Sequence, residues 1–150
     1  MDDQRSGASA RDIEVATALR TTIGRLVKLM RRETRNEALL SLTERSTLGL
    51  LYPDVQLAPS DIARLEKVTT QSMSQVVNHL VELNFVYRTP HAEDKRKTML
   101  SLTGAGKARV EQARQEKQEW LAQMLHQRVT PQEKAVLIES IKILSKLIDE

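Results

Sequence analysis

The sequence predicts a mainly α-helical protein carrying one small β-hairpin, and three observations support this. Apolar residues recur at helical spacing along much of the 150-residue chain. Helix-start signals stand just before several of these runs, as at Thr130-Pro131-Gln132-Glu133. A β-prone run, Val86 to Thr89, precedes an alternating one, Thr98 to Leu102, across a polar turn.

The stretch from Pro59 to Leu102 organises the rest. Pro59 suits the first turn of a short helix, where Asp61 is well placed against the helix dipole. Ile62, Ala63 and Leu65 are its expected inward contacts. After a tight turn, Thr69 should cap a second helix, its hydroxyl accepting from the N–H of Gln71 or Ser72. Asn84 should close that helix in the left-handed conformation it tolerates. Pro90 lacks a ladder donor and fits the exposed end of the first strand. The order helix, turn, helix, hairpin is that of a winged helix-turn-helix.

The second helix has two unlike faces. Met73, Val76, Val77, Leu80 and Leu83 form an apolar stripe. At 100° per residue the opposite side gathers Gln71, Gln75 and Asn78, flanked by Ser72, Ser74 and His79. These short side chains carry paired donors and acceptors and suit major-groove readout, where Gln or Asn binds adenine bidentately. Charge for phosphate contact comes from Arg88 on the first strand and from Lys95, Arg96 and Lys97 at the turn. A solvated polar face is the plainer explanation of any one amphipathic helix. The helix, turn and basic hairpin around this one favour a nucleic-acid reader.

Composition agrees. With 40% apolar residues the chain can build one core, and an elongated shape at this size invites a second chain to cover part of it. The net charge is only +3, but Phe85 to Val110 holds Arg88, Lys95, Arg96, Lys97, Lys107 and Arg109 against Glu93 and Asp94. The absence of cysteine excludes disulfides, thiolate nucleophiles and cysteine-based zinc sites. His79, His91 and His126 lack carboxylate neighbours at metal-ligand spacing, so neither a metal nor a cofactor is expected. No catalytic residue is assigned, because no nucleophile–base pair, paired carboxylates or glycine-rich phosphate loop appears in a supporting context. Without an apolar leader or a membrane-length run, a cytoplasmic protein is expected.

Met1 to about Ser9 should fray. A first helix follows, with Ile13, Ala16, Leu19, Ile23, Leu26, Val27 and Met30 on one side and Arg20, Arg25, Lys28, Arg31, Arg32 and Arg35 over much of the rest. Gly24 is expected to mark a kink or a close helix crossing. After a break near Asn36 to Ser41, a helix capped by Ser41 or Thr43 runs to a stop before Pro53. Thr103 should cap a long helix to about Gln127 containing Val110, Ala113, Trp120, Leu121, Met124 and Leu125. The last helix carries Leu137, Ile138, Ile141, Leu144, Leu147 and Ile148, a broad stripe expected to pack on a second subunit.

Several pieces together resemble the MarR-type bacterial transcriptional regulators, multiple antibiotic resistance regulators. They are Leu42-Thr43, Ser60-Asp61-Ile62-Ala63, Val68-Thr69 leading to Ser72-Met73-Ser74, Leu80-Val81-Glu82-Leu83 and Val86-Tyr87-Arg88. Asp94-Lys95-Arg96-Lys97 and Leu102-Thr103 with Gly106 complete the set. The resemblance covers nearly the whole chain in element order. Its most specific part is the Asp-x-Arg turn with Leu-Thr six residues beyond the Arg. Asn84 departs from the family's usual Gly, and the Lys95–Lys97 cluster is denser in charge than in many members.

The resemblance implies one domain. Dimerisation helices would span about residues 11–38 and 104–149, and the winged DNA-binding lobe about 42–102. It further implies a homodimer with the helix from about Thr70 to Leu83 in the major groove, Arg96 in the minor groove and Asp94 orienting it. The expected function is a sequence-specific regulator, a repressor in the commonest family pattern, on a pseudo-palindromic double-stranded DNA operator. Thr70, Gln71, Ser72, Ser74, Gln75, Asn78, His79, Arg88, Asp94, Lys95, Arg96 and Lys97 form the expected interface. Release by a small aromatic or anionic effector is also implied. Tyr52, His126 and the first helix's arginines are candidates by residue type alone. The alternative reading is a helical interaction module whose winged helix binds protein.

Overall fold

The computed structural model describes residues 7–33 and 40–149. Arg35, much of the expected break from Asn36 to Ser41 and most of the expected frayed start lie outside those residues. The elements run α1 (Ala10–Glu33), α2 (Leu42–Leu51), α3 (Pro59–Glu66), α4 (Thr70–Glu82), β1 (Val86–Pro90), β2 (Thr98–Leu102), α5 (Gly104–Arg128) and α6 (Pro131–Ser145). The fold is therefore mainly α with an antiparallel β-hairpin, as the periodicity predicts. Among the described residues no helix is long and apolar enough to cross a membrane. The chain divides into two compact units, residues 36–116 and residues 1–35 with 117–150.

The central unit, 36–116, has a closed core. Leu48 and Leu51 of α2, Ile62 of α3, Met73, Val77 and Leu80 of α4 and Leu100 of β2 are almost fully buried. Each such side chain contributes about 1.5–3 kcal/mol when withdrawn from water. The α4 stripe has its expected orientation, with Val76 and Leu83 half-buried at its edges. Leu65 does not: it is 52% exposed, whereas Ile62 and Ala63 are buried. At 100° per residue Leu65 stands about 110° round the helix from the midpoint of Ile62 and Ala63, off the buried stripe. Lys67 adopts φ 55° and reverses the chain, so the next inward contact is Val68, whose N–H donates to the Ala63 carbonyl at 3.0 Å.

The hairpin pairs Val86 with Leu102, Arg88 with Leu100 and Pro90 with Thr98. An element absent from the sequence reading joins it. Leu57 exchanges both backbone hydrogen bonds with Leu100, at 3.3 and 2.9 Å, so β2 lies between two neighbours. In β2, Leu100, Ser101 and Leu102 are all buried instead of alternating.

A tight junction connects α4, the hairpin and α5. Asn84 takes φ 58°, the expected left-handed cap. The Thr103 hydroxyl donates to the Asn84 carbonyl at 2.6 Å and accepts from the Gly106 N–H at 2.9 Å, capping α5 as expected. A Cβ on Gly106 would lie 2.0 Å from the Phe85 carbonyl oxygen, so only glycine fits there.

The flanking unit has a different character. Neither α1 nor α6 contains a buried residue. Ile13, Val15, Ile23 and Leu26 of α1 are exposed, as are Leu137, Ile138 and Ile141 of α6 and Leu147 and Ile148 beyond it. Local signals nevertheless set its helix ends. Thr130 and Glu133 form the expected capping box, Thr130 N–H donating to Glu133 at 2.8 Å and Glu133 N–H to the Thr130 hydroxyl at 3.3 Å. Gly24 has open space where a Cβ would sit, so no close crossing within the described residues requires it.

Candidate nucleic-acid interface

The site starts from how α4 is held. Thr69 caps it, accepting from the Ser72 N–H at 3.1 Å. Burial of Met73, Val77 and Leu80 leaves Thr70, Gln71, Ser72, Ser74, Gln75 and Asn78 exposed on the other side. Their hydrogen bonding differs. Ser72 receives the Thr69 hydroxyl at 2.9 Å, and Ser74 donates to the Thr70 carbonyl at 2.9 Å, so both hydroxyls are engaged locally. Among the described residues, no side-chain hydrogen bond engages the amides of Gln71 or Gln75.

Asn78 and His79 have partners from other elements. Arg88 Nη2 on β1 donates to Asn78 Oδ1 at 2.6 Å, tying the hairpin to the polar face of α4. His79 is turned toward α2, its Nδ1 lying 2.5 Å from Glu44 Oε1. Glu44, only 7% exposed, also accepts from the Ser41 N–H at 2.6 Å in the α2 capping box. Burial pushes the Glu44 pKa up. Hydrogen bonds from His79 and Ser41 outweigh this and leave the carboxyl below the ordinary glutamate value.

The turn of the hairpin is built by its own polar groups. His91 N–H donates to the Lys97 carbonyl at 2.8 Å, and Lys97 N–H to the Asp94 carbonyl at 2.9 Å. Asp94 Oδ1 accepts from the Arg96 N–H at 3.1 Å. His91 Nδ1 accepts from the N–H groups of Glu93 and Asp94, each at 3.2 Å. The result is a shaped loop that presents Lys95, Arg96 and Lys97 to solvent.

The partnerships of His91 and Glu44 in this scaffold follow from neither helical nor strand period, so local spacing does not reveal them. Glu44 was recognisable only as an N3 glutamate in a capping box with Ser41. Tyr52 is also engaged: its hydroxyl donates to Glu111 at 3.3 Å, and the Arg114 guanidinium lies 4.1 Å from its ring centroid. Lys107 is ion-paired with Asp54, whose carboxylate raises the ammonium pKa. Among the described residues no three His, Asp or Glu side chains converge as a metal site would require.

Comparisons with known proteins agree with this architecture. A family model described as MarR family matches residues 40–97. An uncharacterised HTH-type transcriptional regulator of Mycobacterium leprae is 31% identical over 140 residues, 93% of this chain and 96% of that protein. The HTH-type transcriptional repressor YetL of Bacillus subtilis is 41% identical over 59 residues, 39% of this chain and 35% of YetL. Among solved structures, a transcriptional regulator protein from Pseudomonas aeruginosa superposes with a TM-score of 0.80 at 22% identity, over 95% of this chain and 99% of that one. A full-length regulator relative, a family match across the helix-turn-helix and the first strand and turn of the hairpin, and a shared winged fold place this chain in the MarR family, as a DNA-binding transcriptional regulator and not an enzyme.

Proposed function

We propose that the protein works as a homodimer in the cytoplasm, repressing transcription from a pseudo-palindromic operator. The observation that carries this reading is the exposed, uncharged face of α4 in the same unit as a cationic hairpin turn. Gln71, Ser72, Ser74, Gln75 and Asn78, with Thr70 at the helix start, are the proposed base-reading group. Lys95, Arg96 and Lys97 supply affinity for the phosphate backbone, while Arg88 on β1 is bonded to Asn78 of the reading helix. Arg96 enters the minor groove from a turn shaped by Asp94. His79, held by Glu44, flanks the groove-facing surface and fixes the seating of α4.

The exposed isoleucines and leucines of α6 support a homodimer, because a stripe of that breadth is costly to leave in water. Two-fold symmetry would place the two α4 helices on half-sites about 10 bp apart. The name of YetL supports a repressor. Arg114 above Tyr52 places a cation beside an aromatic ring, which supports a small aromatic or anionic effector that releases DNA. The chain forms one domain, with a winged lobe at about 42–102 and dimerisation helices at about 11–38 and 104–149.

Selection of bound sequences from a random duplex pool, followed by titration on the winning site, tests this reading. An inverted repeat bound by two chains is the expected result. Gln75→Ala should lose discrimination at one position per half-site, by about 1–3 kcal/mol. Lys97→Ala should weaken all sequences alike and flatten the salt slope by about one unit. A single unrepeated site bound by one chain would refute the dimeric operator. A thermal-shift panel of aromatic carboxylates, with and without duplex, tests the effector: stabilisation only in the absence of DNA is expected, and no shift with any member would refute it.

A further inference from the structure

We propose that Arg88 is a specificity-determining positioning residue: by donating to the Asn78 carbonyl oxygen it sets a cation and further donors beside that amide and biases it toward guanine over adenine. The inference rests on the reading of α4 as the major-groove helix and deepens it by naming a base.

An asparagine amide recognises adenine by using both its halves, Oδ1 accepting from the N6 amino group and Nδ2 donating to N7. Here Oδ1 already accepts from Arg88 Nη2 at 2.6 Å, a short charge-assisted hydrogen bond. An incoming N6 amino group would meet an oxygen flanked by a cationic N–H donor. Toward an arriving base the pair offers the Nδ2 amino group and the other guanidinium N–H groups, donors that outnumber the one lone pair left on Oδ1. The major-groove edge of guanine presents N7 and O6, both acceptors, and matches that array. Both side chains are exposed, so the pair stands where a base edge can reach it.

The geometry also sets Asn78 apart from Gln71 and Gln75, whose amides keep donor and acceptor available within the described residues. One helix face therefore carries two chemistries. The glutamines retain the adenine-reading pattern, and Asn78 does not. A simple phosphate clamp at Arg88 would give no base preference, so the two roles separate by experiment.

The test uses the full chain. Bound duplexes are selected from a random pool with the wild type, Asn78→Ala and Arg88→Met. The wild type should select guanine at one position per half-site, and Asn78→Ala should abolish that preference while leaving the others. Arg88→Met should shift the same position toward adenine, because the freed oxygen can accept from N6; a change on the order of tenfold in the guanine-to-adenine ratio is expected. Replacing that guanine with 7-deazaguanine should weaken wild-type binding by a similar factor, an arm that needs no variant. Adenine at the Asn78-dependent position, an unchanged profile in Asn78→Ala, or a uniform loss of affinity in Arg88→Met would each overturn the proposal. A pool with no enriched sequence would instead overturn the base-reading assignment of α4 and this inference with it.

Discussion

The central and flanking units use the same kinds of residue to opposite ends. In the central unit leucine, isoleucine and methionine are withdrawn from water, and Leu51, Ile62, Met73, Leu80 and Leu100 have no measurable exposure. In the flanking unit α6 leaves Ile141 59% exposed, and Ile148 beyond it is 80% exposed. The reader therefore closes its own core, whereas the flanking helices carry apolar surface with which an assembly can be built. Substitutions that act inside one unit and not the other separate these roles.

The largest effect is expected at Gly106. Its backbone approaches Phe85 so closely that a methyl group would sit 2.0 Å from the carbonyl oxygen, which is backbone and cannot rotate away. That same oxygen accepts from the Thr103 N–H at 3.0 Å. Gly106→Ala must therefore separate α5 from the end of α4, at a cost on the order of 3 kcal/mol. Urea unfolding should show it as a lower midpoint with an unchanged slope. A midpoint equal to wild type would mean that the junction is not rigid.

Ile141→Ala is the counterpart in the flanking unit. At 59% exposure it has little to lose within its own chain. If a second copy covers α6, the lost burial should cost about 1–2 kcal/mol per copy. Sedimentation should then find a dimer dissociation constant raised tenfold or more, while the unfolding of the reader stays near wild type. An unchanged dissociation constant would place the contact elsewhere.

The next contrast is between two capping boxes of the same design. Ser41 with Glu44 opens α2, and Thr130 with Glu133 opens α6. Hydrogen bonds from the Thr130 backbone and hydroxyl lower the Glu133 pKa, but that carboxylate is fully exposed. Glu44 is buried and shared with His79. Glu44→Gln should cost about 1 kcal/mol at neutral pH, where the carboxylate accepts from both partners. A folded-state pKa below the unfolded one means that this stability is present above the ordinary glutamate range and fades as pH falls through the folded value. The wild-type advantage over Glu44→Gln should accordingly shrink in acid. An advantage that stayed constant there would remove the charge from the explanation, and Glu133→Gln should show the smaller effect at every pH.

These pairs also show what a sequence makes legible. Both capping boxes, the Thr69 and Thr103 caps and the α4 stripe depend on residues a few positions apart, so local spacing reveals them. The Glu44–His79 and Asn78–Arg88 contacts bridge separate elements and follow no period. Leu65 belongs to α3 but stands to one side of the stripe that Ile62 and Ala63 set. Leu57 carries no strand signal of its own, so its bridge to Leu100 was not visible in the local pattern. For the candidate interface, the polar identity of Gln71, Gln75 and Asn78 was legible; that Arg88 occupies one of the three was not.

The smallest expected effect concerns the turn between α3 and α4. Lys67 holds φ 55° and Asn84 φ 58°, both in the central unit. Asparagine tolerates that region, whereas a lysine Cβ is crowded there, at a cost of roughly 1–2 kcal/mol. Glycine relieves the crowding but adds freedom to the unfolded chain worth about 0.5–1 kcal/mol. The difference favours Lys67→Gly by about 0.5 kcal/mol, a rise of about 1–2 °C in thermal midpoint. Lys67 is exposed and its N–H bonds to the carbonyls of Ala63 and Arg64 are kept, so no packing is lost in exchange. A fall in the midpoint would show that the lysine side chain contributes a contact outweighing its backbone strain. It would also place part of the reader's stability on its surface, instead of in the core that distinguishes it from the flanking helices.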